Sequence, residues 1–243
     1  MNFPRSLTVV VLLLPLSAAA LSSQTVLRDP MIPNGETAVY TVRDGDEQYS
    51  YTESVAVIEE NKGSVYGFKY ISEKETVEVK VDRPTMLPFS IHSVAAGNGI
   101  SIDSSTRLSF ERHYTADGVP VLSFTDLKYV LRGYPFGELS EDVAIVFINT
   151  RATKEDESSD FAVTIRYIKT EEVRIGDRTV ACHKVELRVS GSGIMRVLKP
   201  FIPKTYFWFS VEQPHYLVAY EGSSSFPGSP KRYVEIRHYS GWN

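Results

Sequence analysis

Residues 76–82 read Thr-Val-Glu-Val-Lys-Val-Asp, and this stretch decides the fold class of the chain. Its three valines alternate with charged side chains, so one face of the segment is apolar and the other is polar. Successive side chains of a β-strand point to opposite faces, and a period of two is therefore typical of a half-buried antiparallel strand. The same alternation recurs in residues 161–167 and 184–189.

Turn signals separate these alternating runs at intervals that suit β-hairpins. They are Asp44-Gly45-Asp46, Asn61-Lys62-Gly63, Asp117-Gly118, Gly176-Asp177 and Gln213-Pro214-His215. Glycine and Asn or Asp supply the positive φ angles that tight hairpins need. We therefore predict a mainly β protein with about ten strands. Because neighbouring strands twist by roughly 20–25°, such a sheet curls, and we expect one curved antiparallel sheet that forms a barrel or a half-barrel.

Helical patterns are short and few. Residues 125–133 have Leu127, Val130 and Leu131 at helical spacing, with Gly133 as a stop signal. Residues 194–201 are a second candidate for a short helix. No linker rich in proline or serine divides the chain, so residues 21–243 are predicted to form a single β-rich domain.

The first twenty residues have the layout of a secretory signal peptide. Arg5 precedes an apolar run at residues 7–16, and Ser17-Ala18-Ala19-Ala20 supplies small side chains for cleavage after Ala20 or Ser22. The run is shorter than the roughly 20 residues that a membrane-spanning helix needs. No Cys follows the small residues, as a lipoprotein signal would require. We therefore predict export to the periplasm and a mature protein that is not a lipoprotein.

Composition excludes several classes of function. The 243 residues contain one Cys and carry a formal charge of −4. One Cys rules out an intramolecular disulfide and a Cys-rich zinc site, and the acidic balance argues against a nucleic-acid surface. No nucleophile elbow, phosphate-binding loop or metal-binding His motif is present. We expect no enzyme activity, metal or cofactor. The nearest acid–base pair is Glu111 with His113, which we interpret as two solvated side chains.

Aromatic residues near the C-terminus are the best candidates for ligand contacts. Rings inside a curved sheet can line an apolar ligand site, and an ordinary aromatic core is the alternative. Two histidines with the parity of buried neighbours join this group. The predicted ligand-binding residues are Tyr206, Trp208, Tyr216, Tyr220, His183 and His238.

The stretch of residues 193–204 interleaves apolar and basic side chains. Such a pattern suits contact with an anionic membrane or a partner protein, and it equally suits a loop that closes one end of the sheet. The predicted contact residues are Ile194, Met195, Arg196, Leu198, Lys199 and Phe201.

Four segments, in order, resemble a family of exported bacterial proteins. Residues 129–136 (YVLRGYPF), 171–176 with 182–187 (EEVRIG and CHKVEL), 206–209 with 214–218 (YFWF and PHYLV), and Gly35-Glu36 are similar to segments of domain-of-unknown-function family 3108. The resemblance implies an envelope protein with a curved β architecture, distantly similar to half-barrel carriers of lipoproteins or lipids. It brings no catalytic residue. Packing would explain Cys182 in these segments, and a buried ion pair or a loop anchor would explain Arg132.

Three hypotheses about function follow. The first is a periplasmic binding or carrier module for an apolar or amphiphilic ligand, such as a lipid. The second is a solid β-barrel that has a structural role or binds an envelope protein. The third, an enzyme that uses Glu111 and His113, has no supporting motif. Whether the concave face encloses a volume separates the first hypothesis from the second.

Overall fold

The computed structural model describes residues 27–61, 63–97, 100–107, 121–122, 127–138, 143–147, 161–190, 204–223 and 230–242. These residues are mostly β-structure. The strands are β1 (Thr37–Asp44), β2 (Glu47–Glu60), β3 (Gly63–Ser72), β4 (Glu75–Asp82), β5 (Pro88–Gly97), β6 (Ile100–Arg107), β7 (Val121–Leu122), β8 (Val143–Phe147), β9 (Phe161–Ile175), β10 (Arg178–Ser190), β11 (Thr205–Ser210), β12 (Leu217–Ser223) and β13 (Lys231–Tyr239).

All thirteen strands lie in one sheet, in the order β6-β5-β4-β3-β2-β1-β13-β12-β11-β10-β9-β8-β7. Neighbouring strands are antiparallel except for the short parallel pair β7 and β8. The last strand, β13, pairs with the first, β1, and so joins the two halves of the chain in the middle of the sheet. Within the described ranges no pairing joins β6 to β7, so the predicted curved antiparallel sheet is confirmed in its open form.

Antiparallel strand pairs flank four of the five predicted turns, and the fifth turn, Asp117-Gly118, lies outside the described residues. Gly45 connects β1 to β2 with a φ of 62°, and Gly176 connects β9 to β10 with a φ of 57°. A side chain with a Cβ rarely adopts these angles, which explains glycine at both turns. The alternation in residues 76–82 is also confirmed, because Val77, Val79 and Val81 are buried.

Among the described residues, one short helical element lies outside the sheet. An α-helix at Leu127–Val130 (α1) continues as a 3-10 turn at Leu131–Gly133. The predicted helix at residues 125–133 is thus confirmed over its described part, and it ends at Gly133 as expected. The second predicted helix, at residues 194–201, lies outside the described residues. Among the residues that the structure describes, no helix is long and apolar enough to cross a membrane.

Residues 127–138, which we name the crossing segment, show how strongly the sheet curves. Tyr129 stacks on Phe68 of β3 with ring centroids 4.2 Å apart, and Phe136 stacks on His183 of β10 at 4.7 Å. Six strand spacings of about 4.8 Å separate β3 from β10, which is about 29 Å in a flat sheet. A segment of eight residues that contains a helical turn reaches both strands only because the sheet wraps around it.

The core therefore lies between the crossing segment and the concave face of the sheet. Five residues of the segment are buried apolar side chains, namely Leu127, Tyr129, Val130, Leu131 and Tyr134. Strands from both halves of the chain contribute the facing side chains, among them Tyr40, Val55, Phe68, Phe207, Phe209 and Ile236.

Candidate functional site

Arg132 anchors the crossing segment inside the curve of the sheet. Its Nη1 and Nη2 donate to the two carboxylate oxygens of Glu36 over 2.6 and 2.9 Å, and its Nε donates to the Pro214 carbonyl over 3.1 Å. The Tyr239 hydroxyl also donates to Glu36, over 2.9 Å. The Arg132 side chain is 6% exposed and that of Glu36 is 5% exposed. A bidentate pair with further hydrogen bonds is the arrangement that makes a buried ion pair tolerable. The anchor role predicted for Arg132 agrees with this geometry.

The environment of Arg132 keeps its guanidinium charged. Burial alone would lower the pKa of the guanidinium, but the neighbouring Glu36 carboxylate more than offsets this effect, and the pKa is raised. Burial is also the main reason that the pKa of Tyr239 is raised. This tyrosine therefore stays neutral, and its hydroxyl donates a hydrogen bond to the carboxylate.

A second ion pair holds the other end of the segment. The Lys128 ammonium contacts the Glu53 carboxylate, which also accepts a 3.2 Å hydrogen bond from the Tyr129 hydroxyl. Three tyrosine rings surround the ammonium, with centroids 4.9 Å (Tyr51), 5.2 Å (Tyr70) and 4.9 Å (Tyr129) from Nζ. Burial and then the Glu53 charge raise the pKa of Tyr51 well above its ordinary value. The site thus consists of a cation, one carboxylate and neutral aromatic rings.

The two ion pairs flank a very small cavity. Its volume is about 10 Å³, which is at the lower limit of what one water molecule needs. The lining residues are Glu36, Ala38, Tyr40, Glu53, Val55, Lys128, Tyr129, Arg132 and Leu217. The crossing segment therefore fills this part of the concave face almost completely.

A histidine pair lies at the far end of the crossing segment. His183 of β10 and His215 of the β11–β12 turn have ring centroids 5.8 Å apart, and Phe136 packs against both at 4.7 and 5.2 Å. Nδ1 of His215 lies 2.9 Å from the Ser210 carbonyl oxygen, so the proton of this ring is held on Nδ1. Burial lowers the pKa of both histidines, and for His183 the nearby His215 lowers it further.

The structure divides the six predicted ligand-binding residues between the two faces of the sheet. Tyr216 and Tyr220 are buried and His183 is half-buried beside Phe136. Tyr216 stacks on Tyr239 at 3.9 Å, and Tyr220 packs edge-on against Phe207 at 4.9 Å. Tyr216 and Tyr220 therefore lie on the core side of the sheet, and His183 lies at the end of the core, beside Phe136.

Tyr206 and Trp208 lie on the opposite face, because β11 alternates and places Phe207 and Phe209 inward. The Lys184 ammonium lies 4.7 Å from both ring centroids, and Trp208 Nε1 donates to Glu171 over 2.7 Å. Hydrogen bonds from Lys169 and then from Trp208 lower the pKa of Glu171 to about 2. These two rings belong to a charged outer surface and do not line the concave face.

His238 does not have the inward position that its spacing from Val234 and Ile236 predicts. The register between β1 and β13 shifts between Val39 and Tyr40, and Arg237 becomes an extra residue in β13. A β-bulge of this kind reverses the alternation beyond it. His238 is consequently exposed, and Tyr239 is buried in its place.

The remaining predicted residues lie outside the described part of the chain. They are Glu111, His113 and the contact residues Ile194, Met195, Arg196, Leu198, Lys199 and Phe201. In the part that is described, no three His, Cys, Asp or Glu side chains come together as a metal site would require. Cys182 is buried, and burial followed by the charge of Glu171 raises the pKa of its thiol to about 12.

A larger depression lies at the start of β10, away from the crossing segment. Its volume is about 290 Å³, just below the 300–1,000 Å³ of ordinary ligand pockets. It is lined by Arg178, Thr179, Val180, Ala181, Ser210, Glu212, Tyr216 and Trp242.

Sequence reasoning missed Glu36, Glu53 and Lys128 as parts of a site. A signal for Glu53 was present, because this charged residue stands between Tyr51 and Val55 in β2 and shares their inward parity. A lone carboxylate on an apolar face predicts a buried cationic partner, but no pattern in β2 identifies that partner as Lys128.

Comparisons with known proteins identify no family. No family model matches the chain, and no curated protein sequence matches it. A solved structure of a candidate lipoprotein from Parabacteroides distasonis ATCC 8503 is 13% identical with a TM-score of 0.36, and the match covers 89% of this chain and 99% of that chain. A DUF1329 family protein from Desulfovibrio piger ATCC 29098 is 8% identical with a TM-score of 0.31, with 86% of each chain covered. Both matches are too distant to carry an argument, and the resemblance to family 3108 stays a prediction.

Proposed function

We propose that the chain is an exported, non-catalytic protein of the bacterial envelope that binds or carries an apolar or amphiphilic ligand on its concave face. The signal peptide predicted at residues 1–20 supports export to the periplasm. The concave face of the open, curved sheet is large and apolar, as an apolar ligand would require.

One observation carries this proposal. The concave face is covered by a separate segment, residues 127–138, and not only by side chains of the sheet itself. Two polar anchors hold this segment, Arg132 on Glu36 and Lys128 on Glu53. Movement of the segment would uncover Phe68 at one end and Phe209 at the other, which Tyr129 and Phe136 now contact.

Binding and segment movement are then coupled equilibria. A protein whose binding-competent state is a minor population binds with an apparent affinity reduced by that population. Any change that weakens the anchors raises the population of the uncovered state. The apparent affinity for an amphiphile should therefore rise when an anchor is weakened.

A solid protein with a structural or partner-binding role is the second candidate. It is favoured by the cavity of about 10 Å³ between the two anchors, which leaves no room for a ligand in the covered state. The two candidates differ in whether the crossing segment leaves the concave face.

Hydrogen exchange measured by mass spectrometry during titration with a lysophospholipid tests the proposal. We expect faster exchange in peptides that cover residues 127–138 when the lipid binds. Peptides that cover the turn between β9 and β10, around Gly176, serve as the internal control. A protein that binds no amphiphile, and that releases no lipid on extraction after purification from its source, would contradict the proposal.

A matched pair of variants sharpens this test. Arg132→Lys keeps the charge but loses the bidentate geometry, and we expect it to raise the apparent affinity for the lysophospholipid. Arg237→Lys makes the same chemical change in an exposed ion pair with Glu235 of β13, outside the crossing segment, and should leave the affinity unchanged. Equal affinities for wild type and Arg132→Lys would favour the solid protein.

A further inference from the structure

The tyrosine rings around Lys128 form a cage whose parts come from two different elements. Tyr51 of β2 and Tyr70 of β3 have ring centroids 4.5 Å apart. Glu53 lies directly opposite Tyr70 in the register of the two strands, so its carboxylate shares their face. The sheet thus contributes two rings and one carboxylate, while Lys128 and Tyr129 come from the crossing segment.

This chemistry is that of an ammonium-binding site. Aromatic rings within about 6 Å attract a cation through their quadrupole, and cages of this kind recognise quaternary ammonium ligands. The nearby carboxylate adds a full negative charge. The Lys128 side chain is 19% exposed and that of Glu53 is 12% exposed, so the attraction acts with little competition from water.

We propose that Tyr51, Tyr70 and Glu53 form the headgroup subsite for an amphiphile that carries an ammonium group, and that Lys128 occupies this subsite when the crossing segment covers the sheet. The inference rests on the proposed function and names the class of ligand. The Lys128 ammonium and the ligand ammonium compete for the same rings, so ligand entry and departure of the crossing segment become one event.

Because the Lys128 ammonium competes with the ligand, its removal should increase the affinity for an ammonium amphiphile. A group tethered in the same molecule acts at an effective concentration in the millimolar range or above, and a free ligand must displace it. Lys128→Ala removes this competitor and opens the space that its side chain fills. We expect this variant to bind an ammonium amphiphile at least tenfold more tightly than the wild type.

Two lipids with the same acyl chains isolate the headgroup. Dihexanoylphosphatidylcholine carries a quaternary ammonium and dihexanoylphosphatidylglycerol does not, and both are titrated calorimetrically below their micelle-forming concentrations. We expect Lys128→Ala to prefer the choline lipid, and tetramethylammonium to compete for its binding. The double variant Lys128→Ala with Glu53→Gln keeps the rings, lacks the carboxylate, and should lose the preference.

A thermal measurement keeps the test decisive if Lys128→Ala folds poorly. The variant leaves the Glu53 charge without its cation, so its Tm should fall, and tetramethylammonium should restore part of the loss. In addition, the wild type should bind the choline lipid more tightly than the glycerol lipid. The single variant Glu53→Gln, which keeps Lys128, should bind the two lipids equally.

The outcomes separate the two proposals. Equal binding of the choline and glycerol lipids to Lys128→Ala would overturn the ammonium subsite and leave the amphiphile carrier standing. Absence of binding by either lipid to any variant would overturn both. Choline-lipid binding that tetramethylammonium does not affect would overturn the role of the cage.

Discussion

Arg132 holds a full charge inside the curve of the sheet, and its surroundings explain how that is possible. Nη1 and Nη2 of the guanidinium donate to the Glu36 carboxylate, and Nε donates to the Pro214 carbonyl. All three of its nitrogens therefore have a hydrogen-bond acceptor. We expect Arg132→Met to lower the free energy of unfolding by about 3–5 kcal/mol, because it leaves the Glu36 carboxylate buried without a cation. Urea denaturation followed by circular dichroism measures this change.

The control for Arg132 is a second arginine whose ion pair is exposed. Arg28 pairs with Glu138 at 2.8 Å, and both side chains are more than half exposed. Arg28→Met should change the free energy of unfolding by less than about 1 kcal/mol. Similar losses in the two variants would show that burial of the Arg132 pair has no special effect on stability.

At the scale of elements, β10 and the β11–β12 turn bring the histidine pair against Phe136. Burial lowers the pKa of both His183 and His215. In the unfolded chain these rings bind protons near their ordinary pKa of about 6.5. As the pH falls through that value, the unfolded state therefore binds more protons than the folded state, and the free energy of unfolding falls. The loss continues until the lowered pKa values of the folded state are passed.

Urea midpoints at pH 7.5 and pH 5.5 test this linkage. The limiting slope is about 1.4 kcal/mol per pH unit for each histidine. The reference variant carries His183→Gln and His215→Asn, since His215 has a φ of 54° that asparagine tolerates. We expect the wild type to lose more stability than this variant between the two pH values. The same loss in both proteins would mean that other groups account for the pH dependence.

The elements also show what the sequence could predict and where it had to fail. Strand positions follow from local alternation, and the turns follow from residues that permit a positive φ, so both were predictable. The face on which a residue lies beyond a β-bulge was not predictable, because the register shift is set by the partner strand. His238 is the example. The partner of Arg132 lies 96 residues away in Glu36, and no local pattern encodes a contact of that range.

At the scale of the whole molecule, the pairing of β1 with β13 decides whether the chain unfolds as one unit. This pair places strands β1–β6 and strands β7–β13 in one continuous sheet. The crossing segment adds contacts to both halves, through Phe68 in one and His183 in the other. A shared core favours a single cooperative transition.

Two fluorescent probes, one in each half, test this cooperativity in urea. Both tryptophans, Trp208 and Trp242, report on the C-terminal half. A dye attached through Ile71→Cys reports on β3 in the N-terminal half, since Ile71 is 46% exposed. The native Cys182 should not compete for the dye, because its thiol is buried and has a pKa of about 12. We expect the two transitions to have the same midpoint and the same slope. Separate midpoints would mean that the β1–β13 pair and the crossing segment are too weak to couple the halves, and residues 21–243 would then form two folding units.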